Sequence, residues 1–374
     1  MSGDFIKVYR TKRRFGRYIA IDFEIVEESP LRVRPRCPHF GKCGGCWWQH
    51  IKYKEQLKLK MENFERITGI RAEIKGSPKV WGFRNISNFH IENEIGFRRR
   101  EAKEIVGIEE CPIFSSKTGR YLKALNTFLD DEKVEARYLS VREGKFTGDV
   151  MVNLISPEEP RESFADYFPS VISVYWSINR EDDSPRGEAH LLRGVKYIEE
   201  KIGDVRYLIH PNNFFQTNSY ALELLLKAVE NFVDGEKILD LYAGVGTFGV
   251  FLGKRGFRVD GIEINPLSVE MANKNAKLND SNASFRAGDV RGSVIGNYDT
   301  VIVDPPRKGL KEAAELLNRS GIKHIVYISC NPKAFMLDYR NHLSKYYKIE
   351  DALLVDMFPH TSHMEAVIKL RRGT

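Results

Sequence analysis

The C-terminal part of this sequence predicts an α/β domain, a parallel sheet wrapped by helices, behind an α+β region. Three observations carry that reading. From residue 220 onward, short apolar runs alternate regularly with segments of helical spacing. The loop Gly244-Val245-Gly246-Thr247-Phe248-Gly249 follows the first apolar run and opens a helix. The cysteines divide, with Cys37, Cys43, Cys46 and Cys111 in the first part and Cys330 alone far down the chain.

Composition sets the outer limits. At 374 residues and 42% hydrophobic content the chain can build two or three ordinary cores. Its longest apolar runs, such as 325–328, are far too short to cross a bilayer, and no secretory signal opens it, so a cytoplasmic protein is expected. Five cysteines among 29% charged residues argue against a disulfide scaffold. A net charge of +7 suggests a polyanionic partner such as nucleic acid, and no obligate protein partner is expected.

The elements follow in order. Residues 1–36 alternate basic and apolar positions and read as a short basic β segment, with nine Lys or Arg against five acids. More than half the net charge therefore lies in a tenth of the chain. Residues 37–205 form the expected central α+β domain, with a helix over 53–68, a hairpin around Asn93-Glu94, and strands within 134–153 and 171–178. The boundary falls in the stretch 201–210, which gives a last domain over 206–374. There, helices are predicted over 220–233, 248–254 and 266–278, and strands over 237–242, 258–263, 283–286, 298–304, 324–329 and 366–370.

The glycine loop lets the backbone turn tightly and approach a ligand at the carboxyl edge of the sheet. Glu263 lies 19 positions after Gly244, at the end of the second strand, where a carboxylate can accept hydrogen bonds from both hydroxyls of a ribose. So far a nicotinamide nucleotide fits as well as S-adenosylmethionine. Asp304-Pro305-Pro306-Arg307 separates the two: successive prolines stiffen the loop after the fourth strand and leave carbonyls free to grip a planar base beside a methyl donor.

Cys330 leaves the fifth strand at the same edge and meets Asn331-Pro332, which favours a nucleophile over a buried small hydrophobe. The chemistry also asks for one. Carbon 5 of uracil is a weak nucleophile until a thiolate adds to carbon 6, and a base must then remove the carbon 5 proton. Pattern alone leaves that base open among Glu365, His360 and His363.

Taken together, these residues resemble the RNA uracil carbon-5 methyltransferase family, which makes 5-methyluridine in tRNA and ribosomal RNA. The resemblance runs from about Arg32 to Leu370, with the pieces in the family's order. They are the cysteine cluster, Phe214-Phe215-Gln216-Thr217-Asn218, the glycine loop, Asp304-Pro305-Pro306-Arg307, Ser329-Cys330-Asn331-Pro332 and His363-Met364-Glu365. The resemblance implies a Rossmann-like class I methyltransferase domain preceded by an RNA-binding domain that carries a [4Fe–4S] cluster. It implies Cys37, Cys43, Cys46 and Cys111 as cluster ligands, Cys330 as nucleophile and Glu365 as base. It also implies methyl-donor contacts from Gln216, Tyr242, Glu263 and Asp304, with Gly244 in the loop.

For the cysteines, a structural zinc is the alternative that spacing alone leaves open. Trp47 and Trp48 stand beside them, where they can shield a cluster or stack on RNA, and shielding is the reading taken. About 36 residues precede Cys37, enough for the last strands of the small β-barrel, the TRAM domain, with which many family members begin. RNA affinity is therefore expected from the basic leading segment, Arg84, Arg98–Arg100 and Arg307-Lys308. The target is expected to be 23S ribosomal RNA in preference to tRNA.

Overall fold

The computed structural model describes residues 3–14, 17–100, 102–181, 183–293 and 295–373; the side chains of residues 14, 17, 19 and 312 also lie outside the description. Two of the expected basic contacts, Arg14 and Arg17, fall among those side chains. The chain opens with an antiparallel hairpin of β1 (Phe5–Arg14) and β2 (Arg17–Glu27). Aromatic and aliphatic side chains such as Phe5, Tyr9, Tyr18 and Phe23 remain exposed on it.

Helix α1 (Tyr53–Thr68) and the short β3 (Glu73–Lys75) follow the cysteine-rich loop. The central sheet contains β4 (Ile86–Ile91), β5 (Ile95–Arg98), β6 (Ile105–Gly107), β7 (Tyr138–Glu143), β8 (Val150–Ser156), β9 (Ser173–Ile178) and β10 (Glu188–Gly194). Their order is β10-β9-β8-β7-β4-β5-β6, antiparallel except between β8 and β9. Helix α2 (Thr118–Glu132) covers one face with Tyr121, Leu122, Leu125 and Phe128, a helical stripe that packs beside Phe164 and Trp176.

A second hairpin, β11 (Ile198–Ile202) and β12 (Val205–Ile209), leads into the C-terminal layers. Helices α3 (Ser219–Phe232), α4 (Thr247–Lys254) and α5 (Pro266–Leu278) alternate with β13 (Lys237–Leu241), β14 (Arg258–Glu263) and β15 (Ala283–Ala287). Then come β16 (Thr300–Val303), α6 (Ala314–Ser320), β17 (His324–Ser329), α7 (Pro332–Asp338), β18 (Tyr347–Val355) and β19 (Glu365–Arg372). The sheet order is β15-β14-β13-β16-β17-β19-β18-β3. Strands β13 to β17 run parallel, and β19 runs antiparallel between β17 and β18.

Alternation along each strand builds two cores. Ile238, Val326 and Val367 point to the side of α3, α4 and α5, whereas Leu239, Ile325 and Ile368 point to the side of α1, α6 and α7. The structure moves two segments relative to the expected division. α1 and β3, placed by sequence in the central domain, belong to the C-terminal layers: Phe64 is wholly buried in that core and β3 pairs with β18. The expected boundary also cuts through the β11–β12 hairpin, whose Ile198, Ile202, Val205, Tyr207 and Ile209 all enter the core under α3 to α5. Their hydrophobic contacts, made across the chain, outweigh sequence proximity.

Candidate active site and cysteine cluster

Strand β13 has β14 on one side and β16 on the other, so the connections depart in opposite directions and leave a crevice at the carboxyl edge. That edge gathers Tyr242 and the glycine loop after β13, Glu263 at the end of β14, Asp304 after β16 and Cys330 after β17. Because β19 is antiparallel, its first residue, Glu365, lies at the same edge.

The glycines divide their work. Gly244 takes φ +55°, and a Cβ there would meet nothing within 4 Å, so its backbone faces open space. Gly246, at φ +80°, is packed instead: a Cβ would meet Val250 at 2.9 Å and Phe285 at 3.0 Å. The Gly244 N–H donates to Glu263 Oε2 at 3.0 Å and the Asn265 N–H to Oε1 at 2.8 Å. These bonds fix the carboxylate while each oxygen keeps further acceptor capacity. Tyr242, just before the loop, adopts φ 62°, an uncommon conformation for a bulky residue.

Gln216 Nε2 lies 3.5 Å from Asp304 Oδ2. The Gln216 carbonyl accepts from Asn85 Nδ2 at 2.8 Å, and Asn85 Nδ2 also reaches Ser219 Oγ at 2.9 Å. Sequence reasoning missed Asn85, since nothing around it signals a role. Asn218 caps α3 by accepting the Ala221 N–H at 3.1 Å and donates to Ser77 Oγ and the Met357 carbonyl. Burial raises the Asp304 carboxyl to about 7 and the Tyr242 phenol to about 12. Beneath the loop, buried Asp240 accepts the Gly249 N–H at 3.0 Å, and desolvation raises its carboxyl to about 8.

The β17–β19 ladder brings nucleophile and base candidates together. Its last pair is Ser329 with Ala366, so Cys330 and Glu365 each stand one residue beyond it, on opposite strands. Glu365 is buried, and desolvation followed by the charge of Asp304 pushes its carboxyl up, while Arg307 pulls it down. Burial, and then the charge of Glu365, raises the Cys330 thiol to about 11; the Arg307 guanidinium acts against both. Asn331 Nδ2 donates to the Arg307 carbonyl at 3.0 Å, which ties the Asp-Pro-Pro-Arg loop to the cysteine turn. Arg307, expected only as a phosphate contact, therefore faces Cys330.

His360 is held by other partners, while His363 feels the same Arg307 charge as that pair. Gln56 Nε2 donates to His360 Nδ1 at 3.2 Å, which leaves Nε2–H to donate to the Val80 carbonyl at 2.9 Å. The ring also stacks on Trp81 with centroids 4.0 Å apart, and burial lowers its basicity to about 4. His363 is exposed, and desolvation of its ring lowers it as well.

Cys37, Cys43, Cys46 and Cys111 converge although 74 residues separate the first from the last. Cys37, Cys43 and Cys46 each raise the thiol pKa of a neighbour in the set, and burial lifts Cys46 to about 11 and Cys111 to about 12. Gln49 Oε1 accepts the Cys37 N–H at 3.1 Å. Elsewhere, Asp234, His324 and Glu350 bring three potential metal-ligating atoms within 4.8 Å of one another.

A switch-point crevice with a glycine loop, an acid at the end of the second strand and an Asp-Pro-Pro turn defines an α/β methyltransferase. Residues 210–326 match the methyltransferase small domain model, and residues 289–373 match the model described as tRNA (Uracil-5-)-methyltransferase. The 23S rRNA (uracil(747)-C(5))-methyltransferase of Pyrococcus abyssi is 52% identical, covering 99% of this chain and 93% of that protein. The tRNA (uracil(54)-C(5))-methyltransferase of Pyrococcus furiosus is 44% identical at the same coverage. The crystal structure of the Pyrococcus abyssi tRNA (uracil-54, C5)-methyltransferase with S-adenosyl-L-homocysteine superposes with a TM-score of 0.87 at 42% identity, over 98% of this chain and 93% of that one. The chain belongs to the RNA uracil-C5 methyltransferase family and is an S-adenosylmethionine-dependent enzyme acting on RNA. Among the described residues, no helix is long and apolar enough to cross a membrane.

Proposed function

We propose that this enzyme methylates carbon 5 of one uridine in structured 23S ribosomal RNA, through a covalent bond between Cys330 and carbon 6. The observation that carries the reading is the register of β17 and β19, which makes Cys330 and Glu365 neighbours at the crevice where Asp304 and Arg307 also converge.

The residues fit the methyl donor. Open space above Gly244, the anchored Glu263 carboxylate for ribose hydroxyls, and Asp304 with Gln216 at the next strand end suit an adenosyl ligand. S-adenosylmethionine supplies an electrophilic methyl group. The Cys330 thiol loses its proton to solvent, and the thiolate adds to carbon 6 of uracil, turning the ring into an enolate whose carbon 5 takes that methyl as the S–CH3 bond breaks and S-adenosylhomocysteine leaves. Glu365 then accepts the carbon 5 proton; the released electron pair restores the ring double bond and expels the thiolate. Arg307 favours the thiolate, and the target base must leave its stack to reach Cys330.

The four cysteines fit a [4Fe–4S] cluster. One zinc ion would also take four thiolates, and the C-x5-C-x2-C spacing with a distant fourth cysteine that converges on it supports the cluster. It would tie the loop at Cys37 to the segment at Cys111 and supply structural rather than catalytic chemistry.

The choice of ribosomal RNA rests on identity: 52–54% to relatives named as 23S enzymes against 43–44% to those named as tRNA enzymes. Incubation with labelled S-adenosylmethionine and separate unmodified 23S rRNA and tRNA pools tests it. Label in 5-methyluridine at one 23S site is expected; label confined to tRNA would reverse the assignment.

A further inference from the structure

We propose that the cleft between the leading hairpin and the cysteine loop is a stacking site for an unpaired base of the substrate RNA, outside the target uridine's pocket. Two adjoining cavities of about 310 and 300 Å³ meet there and share Trp47, His50 and Arg100; Cys43 and Cys46 also line the first, which therefore reaches the cysteine site, whereas the second, bounded by Leu31, Trp48 and Glu55, is lined by no cysteine. Phe23 of β2 and Phe40 close the first of them. Trp47 is 38% exposed, a large aromatic surface open to solvent.

The arginines of the 98–100 run are not equivalent. Arg98 pairs with Asp183 at 2.7 Å and Arg99 with Glu104 at 3.0 Å. Arg100 instead lies over the Trp47 ring, 3.8 Å from its centroid. An aromatic face combined with a guanidinium is the arrangement that grips a base and its phosphate with little regard to base identity. A protein segment would gain less beside a hairpin whose first strand carries Lys7, Arg10, Lys12 and Arg13, whereas a polyanion gains from each cation.

Position supports the same occupant. The Trp47 N–H donates to the His360 carbonyl at 2.9 Å, and His360 lies five residues before Glu365. Five residues of extended chain span at most about 18 Å, so Trp47 stands within reach of a few nucleotides from a base flipped toward Cys330. The stacking role is additional to the shielding role read from sequence: Trp47 borders the cavity that Cys43 and Cys46 line, and it also remains part-exposed beneath the Arg100 guanidinium.

The test measures RNA affinity and the KM–kcat split for W47A, W47F and R100A, with iron content and visible absorbance recorded on each. W47A should weaken RNA binding about five- to hundredfold, the range of one stacked base, with the effect in KM rather than kcat. W47F should retain most of the affinity, and R100A should lose a smaller part. An abasic scan of the RNA, done first on the unaltered enzyme, should reveal one non-target position with a comparable loss, and that loss should vanish in W47A. If no abasic position matters, the proposal is overturned whatever the variants do. It is also overturned if W47A binds RNA normally, either with a cluster that has merely become oxygen-labile or with a cleft left to a protein partner. Failure to label any RNA would instead refute the substrate assignment.

Discussion

The backbone N–H of Trp48 donates to the carbonyl oxygen of His360 at 2.9 Å, across more than 300 residues of sequence. With Gln56 bonded to both the ring and the N–H of His360, this contact joins the cysteine loop to the turn that delivers Glu365. The cysteine site is thereby mechanically continuous with the catalytic edge.

Cys46→Ser should abolish iron binding and the visible absorbance. If the junction transmits that loss, hydrogen exchange at the Trp47 and Trp48 amides and across 356–364 should accelerate together. Faster exchange in the cysteine loop alone would separate the two regions.

Cys330→Ala should lower methylation on the order of 10³-fold or more. Glu365→Gln should reduce turnover about 10²- to 10⁴-fold and trap a protein–RNA adduct that survives denaturing electrophoresis. Normal turnover in Glu365→Gln would remove that carboxyl from the role.

Arg307 holds the Cys330 thiol below where burial and Glu365 would otherwise set it. Since the thiolate is the reactive form and the thiol lies raised near 11, kcat/KM should rise with pH through the neutral and alkaline range. Arg307→Ala should move that rise to higher pH and depress activity most at neutral pH, while Arg307→Lys recovers part of it. A profile that keeps its position in Arg307→Ala would show that the guanidinium does not act on the thiol.

Lys60 and Asp356, both wholly buried, pair at 2.6 Å, and Tyr53 donates to the same carboxylate at 2.9 Å. Lys60→Met leaves a buried charge without its partner and should cost about 3–5 kcal/mol in denaturant unfolding. Because Lys60 also donates to the Phe358 carbonyl, catalytic activity should fall before global unfolding does.

Gly246→Ala meets a left-handed backbone and a crowded Cβ position and should lose about 1–2 kcal/mol from the backbone alone, read as a lower Tm. Gly244→Ala shares the backbone cost but no clash, so weaker S-adenosylhomocysteine binding should be its main signature.

The sequence made the C-terminal strands up to β17, β19 and helices α3 to α5 legible, though not α6 or α7, because their signals are local: buried strands, a glycine loop, Asn265 and Pro266 at a helix start. The antiparallel partner of β19 escaped it, since Tyr347–Val355 mixes charged and apolar residues without clean alternation. α2 was also unread, although its apolar stripe is regular. Phe64 and β3 could not be assigned to their sheet from sequence, because that choice depends on surfaces made hundreds of residues later. At the site, motif residues were visible one at a time. What no local pattern carries is the turning of Arg307 toward Cys330, the hold of Asn85 on the Gln216 carbonyl, and the different partners of three consecutive arginines.

The antiparallel course of the final strand acts as a caliper. Six residue pairs between β17 and β19 fix how far Glu365 extends past the end of the ladder, and successive strand residues face opposite sides. A slip of one residue anywhere along those pairs would swing Glu365 off its face and change its reach, with every catalytic side chain still present. A single inserted or deleted residue within 365–372 should therefore silence an enzyme whose chemical groups are all intact.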